Sequence, residues 1–488
     1  MTESTKKLLH VISAGQQDVS STSSADVFDR HNRPCTRRNI ILSSLEKKYS
    51  KIISFTTPTT TKSSGDDDEE DSTTTASLLL TELYSIIHDT AMIQFLCTAY
   101  SKWKDMGPPW DKDNCHPSWD ENSGTVPPLV PLHSAFRRNS NVDGSERPST
   151  NVMGAIGYYA TDMITPIVGG LMNELVEDAY VICTAVHSVF TTTPANTTAN
   201  NTTGGVSYAV TTHPGHHASY DCFGGYCYLN NAALAARLLQ RQIETGKSIL
   251  NDDGVMDAAN YWTDDDNGDD DDDGGDDHLS TKKSKLSTSS SLSQHNHHCP
   301  RVAILDVDYH CGNGTASIFY DCPDIFVCSI HCDPEIDYPW NSGFADQIGV
   351  GEGVGTTLHI PLPKGSSWHV DGDDRDSPSN SSSYKRALIQ AMVAIIKFEP
   401  HALVVSLGLD TYKGDAVAVN RGGFQLSGDD YTLMGMYIGK CMMGKNIPCV
   451  FVQEGGYKMD VVGDAAADVV GGYAIAVSGG AIADDLVM

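Results

Sequence analysis

The chain has 488 residues, 63 acidic against 33 basic, and a formal charge of -30. That balance argues against broad electrostatic binding to nucleic acid, and no apolar run is long enough to span a membrane. A secreted disulfide framework is disfavoured too: 13 scattered cysteines without a Cys-x-x-Cys pair predict reduced thiols in an intracellular protein, cytoplasmic or nuclear.

Residues 1–75 are rich in Ser, Thr, Lys and Asp and keep no sustained period outside Ile40 to Ile53. They read as a disordered or loosely ordered arm. From Ala76 to Trp103, Leu79, Leu83, Ile86, Ile87 and Leu96 recur at helical intervals. Two low-complexity stretches follow, residues 191–205 (Thr/Asn-rich) and 247–300 (Asp/Gly/Ser-rich, with His295, His297 and His298). Flanked by well-patterned segments, they read as surface insertions into one domain spanning 76–488. The acidic runs Asp66 to Asp71 and Asp264 to Asp277 read as solvated loops.

Elsewhere the pattern alternates. Val206 to Val210, Val302 to Val307, Asp324 to Ile330, Ala402 to Ser406 and Pro448 to Val452 predict strands, four of them short runs rich in Val and Ile. Asn231 to Gln240, Tyr384 to Phe398, Tyr431 to Lys440 and Val461 to Ala476 predict helices. This order predicts an α/β domain with a mostly parallel central sheet and helices on both faces.

Ligands of such sheets bind beyond the carboxyl ends of the strands, and four of those ends are rich in chemistry. One leads into Thr212-His213-Pro214-Gly215-His216-His217. A second runs through Asp306-Val307-Asp308-Tyr309-His310-Cys311-Gly312-Asn313, a third into Gly408-Leu409-Asp410, and a fourth into Glu454-Gly455-Gly456-Tyr457. Side chains two apart in extended backbone share a face, so Asp308 and His310 can point together, with Asp410 completing a triangle. One imidazole and two carboxylates suit zinc with an open position for water and substrate. Asp306, one step deeper, is placed to orient His216 or to hold a monovalent cation.

These motifs resemble those of the zinc deacetylase superfamily of histone deacetylases and acetylpolyamine amidohydrolases. The segment HPGHHASYDCFGGYCYLNNAALAA (His213 to Ala236) resembles the tandem-histidine motif and its helix, and LDVDYHCGNGTASIF the metal strand. SLGLDTYKGD and EGGY resemble the third-ligand and tyrosine motifs, and IIHDTAMIQFL and IGYYATDMITPI earlier stretches of the family. The wording YDCFGGYC and HCDPEIDYP is closer to the acetylpolyamine amidohydrolases. The resemblance implies an arginase/deacetylase fold and a zinc-dependent hydrolase that removes acetyl groups from polyamines or from protein lysines such as those of histones. It implies one Zn2+ per chain on Asp308, His310 and Asp410, with His216 and His217 as base and acid and Tyr457 polarising the carbonyl. Gly225, Tyr226 and Tyr338 would line a substrate tunnel, Asp306 and Ser329 would hold K+, and Asn313 would partner His217.

The chain departs from the family in having Thr212-His213 where Arg-Pro is usual, Cys311 for a second histidine, and Ala416 where a proline usually follows Asp415. Val417 occupies a rim position where one polyamine-selective branch has a glutamate. The competing readings are a binuclear manganese ureohydrolase and an inactive scaffold. The oligomeric state is open, a homodimer among the options.

Overall fold

Strands rich in Val, Ile and Leu on both faces are stable only when helices cover both sides of the sheet. The computed structural model of the protein has that arrangement. It describes residues 9–14, 34–58, 69–106, 148–191, 205–251, 254–262, 299–369, 384–418, 422–442, 445 and 447–477. The strands are β1 (Leu9–Ile12), β2 (Ile53–Thr56), β3 (Val206–Ala209), β4 (Val302–Asp306), β5 (Ile325–Cys332), β6 (Thr357–Leu362), β7 (Ala402–Leu407) and β8 (Cys449–Gln453). The helices are α1 (Pro34–Tyr49), α2 (Glu69–Tyr84), α3 (Thr90–Met106), α4 (Val152–Tyr159), α5 (Leu171–Thr191), α6 (Asn231–Thr245), α7 (Ala258–Tyr261), α8 (Asn313–Ile318), α9 (Tyr384–Phe398), α10 (Gly428–Met442) and α11 (Val462–Val477).

One sheet holds the strands in the order β2-β1-β3-β8-β7-β4-β5-β6. Every pairing between these strands is parallel. Alternate residues feed two apolar layers. Ile304, Val404 and Val452 pack with Ile93, Val186 and Leu234 on one face, and Leu305, Val405 and Phe451 pack with Leu388, Ile438 and Val470 on the other. The strands read from sequence match β3, β4, β5, β7 and β8 to within a residue or two at each end. The four motif-bearing strands stand side by side as β3-β8-β7-β4, so their carboxyl ends share one rim.

The structure corrects the reading of residues 1–75 as a disordered or loosely ordered arm, for 9–14 and 34–58. β1 lies between β2 and β3, pairing Leu9 with Ile53 and His10 with Ser207. Helix α1 buries Ile41 and Leu45 together with Arg37 and Arg38. Four-residue strands carry too few alternations to reveal a period, and two arginines on a buried face hide a helix's amphipathic pattern. Strand β6 has no counterpart among the predicted strands because His359 and Pro361 interrupt its apolar run. Pro361 is tolerated since β6 is at the sheet edge.

The helical stretch from Ala76 to Trp103 is two helices. Asp89 Oδ1 accepts the N–H groups of Ala91 (2.8 Å) and Met92 (3.1 Å), capping α3 and breaking the run. The insertion 247–300 is core at its start, where Ile249, Leu250, Met256 and Tyr261 are buried. The acidic run 264–277, the histidines at 295, 297 and 298, and residues 192–204 lie outside the described residues. Among the described residues no helix is long and apolar enough to cross a membrane.

Candidate active site

The loop after β4 is held by its own carboxylates. Asp306 Oδ1 accepts the N–H of Asp308 (3.0 Å), and Asp308 Oδ1 accepts the N–H of His310 (2.9 Å). From the neighbouring strand β7, Asp410 Oδ1 accepts the N–H of Tyr309 (2.8 Å). From β8, the N–H of Gly455 donates to Asp308 Oδ2 (3.0 Å). Asp308 and His310 thus face the same space as Asp410, and all three are buried.

Their donor atoms lie within 4.8 Å of one another. His310 Nδ1 is 3.1 Å from Asp410 Oδ2 and 3.4 Å from Asp308 Oδ1. Ligand atoms about 2.0–2.2 Å from a tetrahedral zinc stand roughly 3.3–3.6 Å apart, so this triangle fits the ion. Its electrostatics fit as well. Burial and the neighbouring Asp308 push the Asp410 carboxyl up to about 7, because two buried carboxylates this close resist ionising together. A dication relieves that conflict.

The histidine pair follows β3. Glu454 Oε2, from the end of β8, accepts the N–H of Gly215 (2.6 Å) and of His216 (3.1 Å), and Ser406 Oγ donates to Glu454 Oε1 (2.6 Å). Three strands therefore fix the loop. His216 Nδ1 is 3.0 Å from Asp306 Oδ2, and His217 Nδ1 is 2.7 Å from Asn313 Oδ1. The ring centroids are 4.0 Å apart. Their environments diverge. Burial opposes charge on His216, but Asp308 and Asp306 outweigh it and raise the imidazole to about 10. Burial and the nearby His216 and His310 hold His217 well below the usual range.

Tyr457 is reached through Asp415, whose Oδ2 accepts the N–H groups of Tyr457 (2.7 Å) and Lys458 (3.0 Å). Its phenol is pushed well above the ordinary range by burial, against the pull of Arg37, whose guanidinium carbon is 5.5 Å from the ring. Tyr226 stands 5.9 Å from Tyr457, and Tyr338 meets His217 edge-on at 4.8 Å. Gly225 (φ 58) and Tyr226 (φ 66) are both left-handed. Their N–H groups donate to Asp162 Oδ2 (2.5 Å) and Thr165 Oγ1 (2.9 Å). A Cβ on Gly225 would lie 2.3 Å from His217 Cδ2, so only glycine lets the aromatic loop approach the pair this closely.

The residues read from the sequence as ligands, histidine pair, tyrosine and aromatic walls stand at or beside this rim, with Ser329 one strand further on β5, in register with Asp306. Sequence reasoning missed Glu454 and Asp415 as organisers, although both sit inside motifs, and it missed Arg37 altogether. The departure at Thr212 is accommodated by α1: Arg37 Nη2 donates to Thr212 O (3.2 Å), and Arg38 Nη1 donates to Thr212 Oγ1 and lies 3.5 Å from Glu177. His213 Nε2 meets Glu174 Oε2 at 2.7 Å.

A sequence model of the histone deacetylase domain matches residues 59–250 and 289–473. The chain is 31% identical over 387 residues to acetylpolyamine amidohydrolase 1 of Pseudomonas aeruginosa, covering 79% of this chain and 81% of that protein. It is 29% identical over 395 residues to the acetylpolyamine amidohydrolase of Mycoplana ramosa, covering 80% and 82%. Its fold is similar to that of the crystal structure of an acetylpolyamine aminohydrolase from Burkholderia pseudomallei, with a TM-score of 0.61, 21% identity, and coverage of 96% of this chain and 99% of that one. A domain match across well over half of the chain, on a sheet whose four adjacent strand ends carry the family's motifs, places this protein in the zinc-dependent histone deacetylase family as a deacetylase, a hydrolase of amides.

Proposed function

We propose that the protein hydrolyses the acetyl amide of acetylated polyamines, with Asp308, His310 and Asp410 holding one zinc ion. The observation that carries this reading is the buried triangle of those three residues beside the histidine pair and Tyr457. Bound there, zinc supplies Lewis acidity toward the acyl oxygen. The remaining work belongs to the chain's own groups.

His217 is the general base. Asn313 Oδ1 can only accept, so Nδ1 carries the proton and Nε2 is free to take one from water. His216, kept charged by Asp306 and Asp308, is the acid that donates to the departing amine, which leaves poorly without a proton. Environments that drive two neighbouring groups in opposite directions are how one site runs acid and base steps together. The Tyr457 hydroxyl, held neutral by burial, donates to the developing oxyanion. Tyr226 and Tyr338 grip an extended alkyl chain between their rings, and Gly225 lets them close over His217. Asp306 and Ser329, paired across β4 and β5, would hold a potassium ion with the nearby backbone, and Asp306 orients His216 through its Oδ2.

The polyamine preference is supported by the relatives named acetylpolyamine amidohydrolase and by the formal charge of -30, which favours polycationic substrates. One observation favours acetyl-lysine of proteins as the second reading: Val417, whose N–H donates to Asp415 Oδ1 (3.0 Å), carries no charge with which to select a second ammonium group. The deciding experiment compares acetylspermidine, acetylputrescine and an acetyl-lysine peptide on the zinc-loaded protein, with a chelator control. Faster turnover of the polyamines, abolished by chelation, is expected. Faster turnover of the peptide would move the function to protein deacetylation, and turnover that survives complete metal removal would refute the zinc reading.

A further inference from the structure

We propose that Cys311, His331 and His359 form a second metal site, next to the hydrolytic centre, for a soft ion with a filled d shell, zinc(II) or copper(I). The three come from the loop after β4, from β5 and from β6, and all are buried. One donor atom of each lies within 4.8 Å of the others. Cys311 Sγ is 3.6 Å from His359 Nδ1. That is the separation, about 3.6 Å, of a thiolate and an imidazole sharing a tetrahedral ion with bonds of roughly 2.3 and 2.0–2.1 Å.

His331 is already held as a ligand would be. Its Nε2 is 2.9 Å from Gly343 O, a carbonyl that can only accept, so Nε2 carries the proton and Nδ1 keeps its lone pair. Metal-bound histidines commonly anchor their second nitrogen in this way. Nδ1 now takes a hydrogen bond from Ser329 Oγ (2.9 Å), which a metal ion would displace. Gly343 is itself shaped to the cluster. It has φ +103, and a Cβ there would lie 2.7 Å from His331 Nε2 and 2.9 Å from Cys311 Sγ. On coordination the Cys311 thiol releases its proton to solvent, leaving one thiolate and two neutral imidazoles, a donor set that suits zinc(II) and copper(I). The ion would tie the edge strand β6 to the loop that presents His310.

This site does not depend on the hydrolytic reading, and its test does not use turnover. The full chain is stripped of metal and titrated with cobalt(II), and separately with copper(I) under anaerobic conditions. Asp308, His310 and Asp410 offer no sulfur, so a near-ultraviolet thiolate-to-metal charge-transfer band reports a cysteine ligand outside the hydrolytic centre, and the substitutions identify which cysteine it is. The expected result is a stoichiometric band with at least one of the two metals. It should vanish, with loss of one metal equivalent per chain, in both His359→Ala and Cys311→Ser. No band with either metal would overturn the proposal, as would a band that survives both substitutions, since the sulfur would then belong to another cysteine. Should both variants fail to fold, X-ray absorption of the metal-loaded wild-type chain decides: a sulfur neighbour beside two imidazoles supports the site, and metal with no such set overturns it.

Discussion

His88, which takes no part in the proposed chemistry, should make the protein's stability depend on pH. It is fully buried, and both ring nitrogens are committed. Nδ1 lies 2.7 Å from Ser219 O and must donate to it, while Nε2 accepts the N–H of Asn230 at 2.8 Å. Asn230 caps α6, its side chain accepting from Ala233 N. It also donates to Ala218 O just after the histidine pair. The imidazole therefore joins the start of α6 to the active-site loop only while neutral, and burial lowers it from the ordinary 6.5 to about 4. Above about pH 6.5 both folded and unfolded chains carry it neutral, and no stability is lost. As pH falls from about 6.5 to about 4, the unfolded chain takes the proton first and stability drops. That depression corresponds to about 3 kcal/mol. Urea unfolding of wild type and His88→Gln under reducing conditions, repeated across that window, gives the difference in which other titrating groups cancel. The variant should be less stable by about 1–3 kcal/mol near neutral pH, from a buried N–H left poorly paired. The gap should shrink or reverse toward about pH 4, where only wild type meets the cost of charging the imidazole. A gap that stays constant from about pH 7.5 to about 4 would refute the reasoning.

Tyr457→Phe should lower kcat by about 10²–10³-fold with little change in KM, because the hydroxyl acts on the oxyanion rather than on ground-state binding; an equal loss carried by KM would contradict its role. Gly225→Ala should abolish turnover and cost about 1–3 kcal/mol, since a left-handed residue gains a Cβ driven into His217; steady-state kinetics and thermal unfolding of the variant measure both. Deleting residues 1–58 should give an insoluble or non-cooperative chain, as judged by expression and calorimetry. The deletion removes Leu9, Val11, Ile12, Ile41, Leu45 and Ile53 from the core, each contributing about 1.5–3 kcal/mol, against a typical total of about 5–15 kcal/mol. A cooperative, active truncate would show that β1, β2 and α1 are dispensable.

How much of this protein could be read from its residues follows from how local each cause is. Buried strands such as Val302–Asp306 and Ala402–Leu407 are legible because each carries its own apolar run. The donor residues are legible because Asp308 and His310 share a face by the period of extended backbone, and because Asp410, the histidine pair and Tyr457 sit in short contiguous motifs at strand ends. What remained hidden depends on partners distant in the chain. That β3, β8, β7 and β4 lie side by side is a matter of strand order. β1 and β2 are too short to declare themselves and exist because β3 offers an edge to pair with. Arg37 and Arg38 look like surface charges on a polar helix until Thr212 and Glu177 arrive from elsewhere to bury with them. The cluster of Cys311, His331 and His359 is likewise invisible in one dimension, its members up to 48 residues apart. Residue chemistry and local periodicity are carried by neighbours in sequence, whereas burial, strand order and the pairing of distant charges arise only when the chain closes on itself.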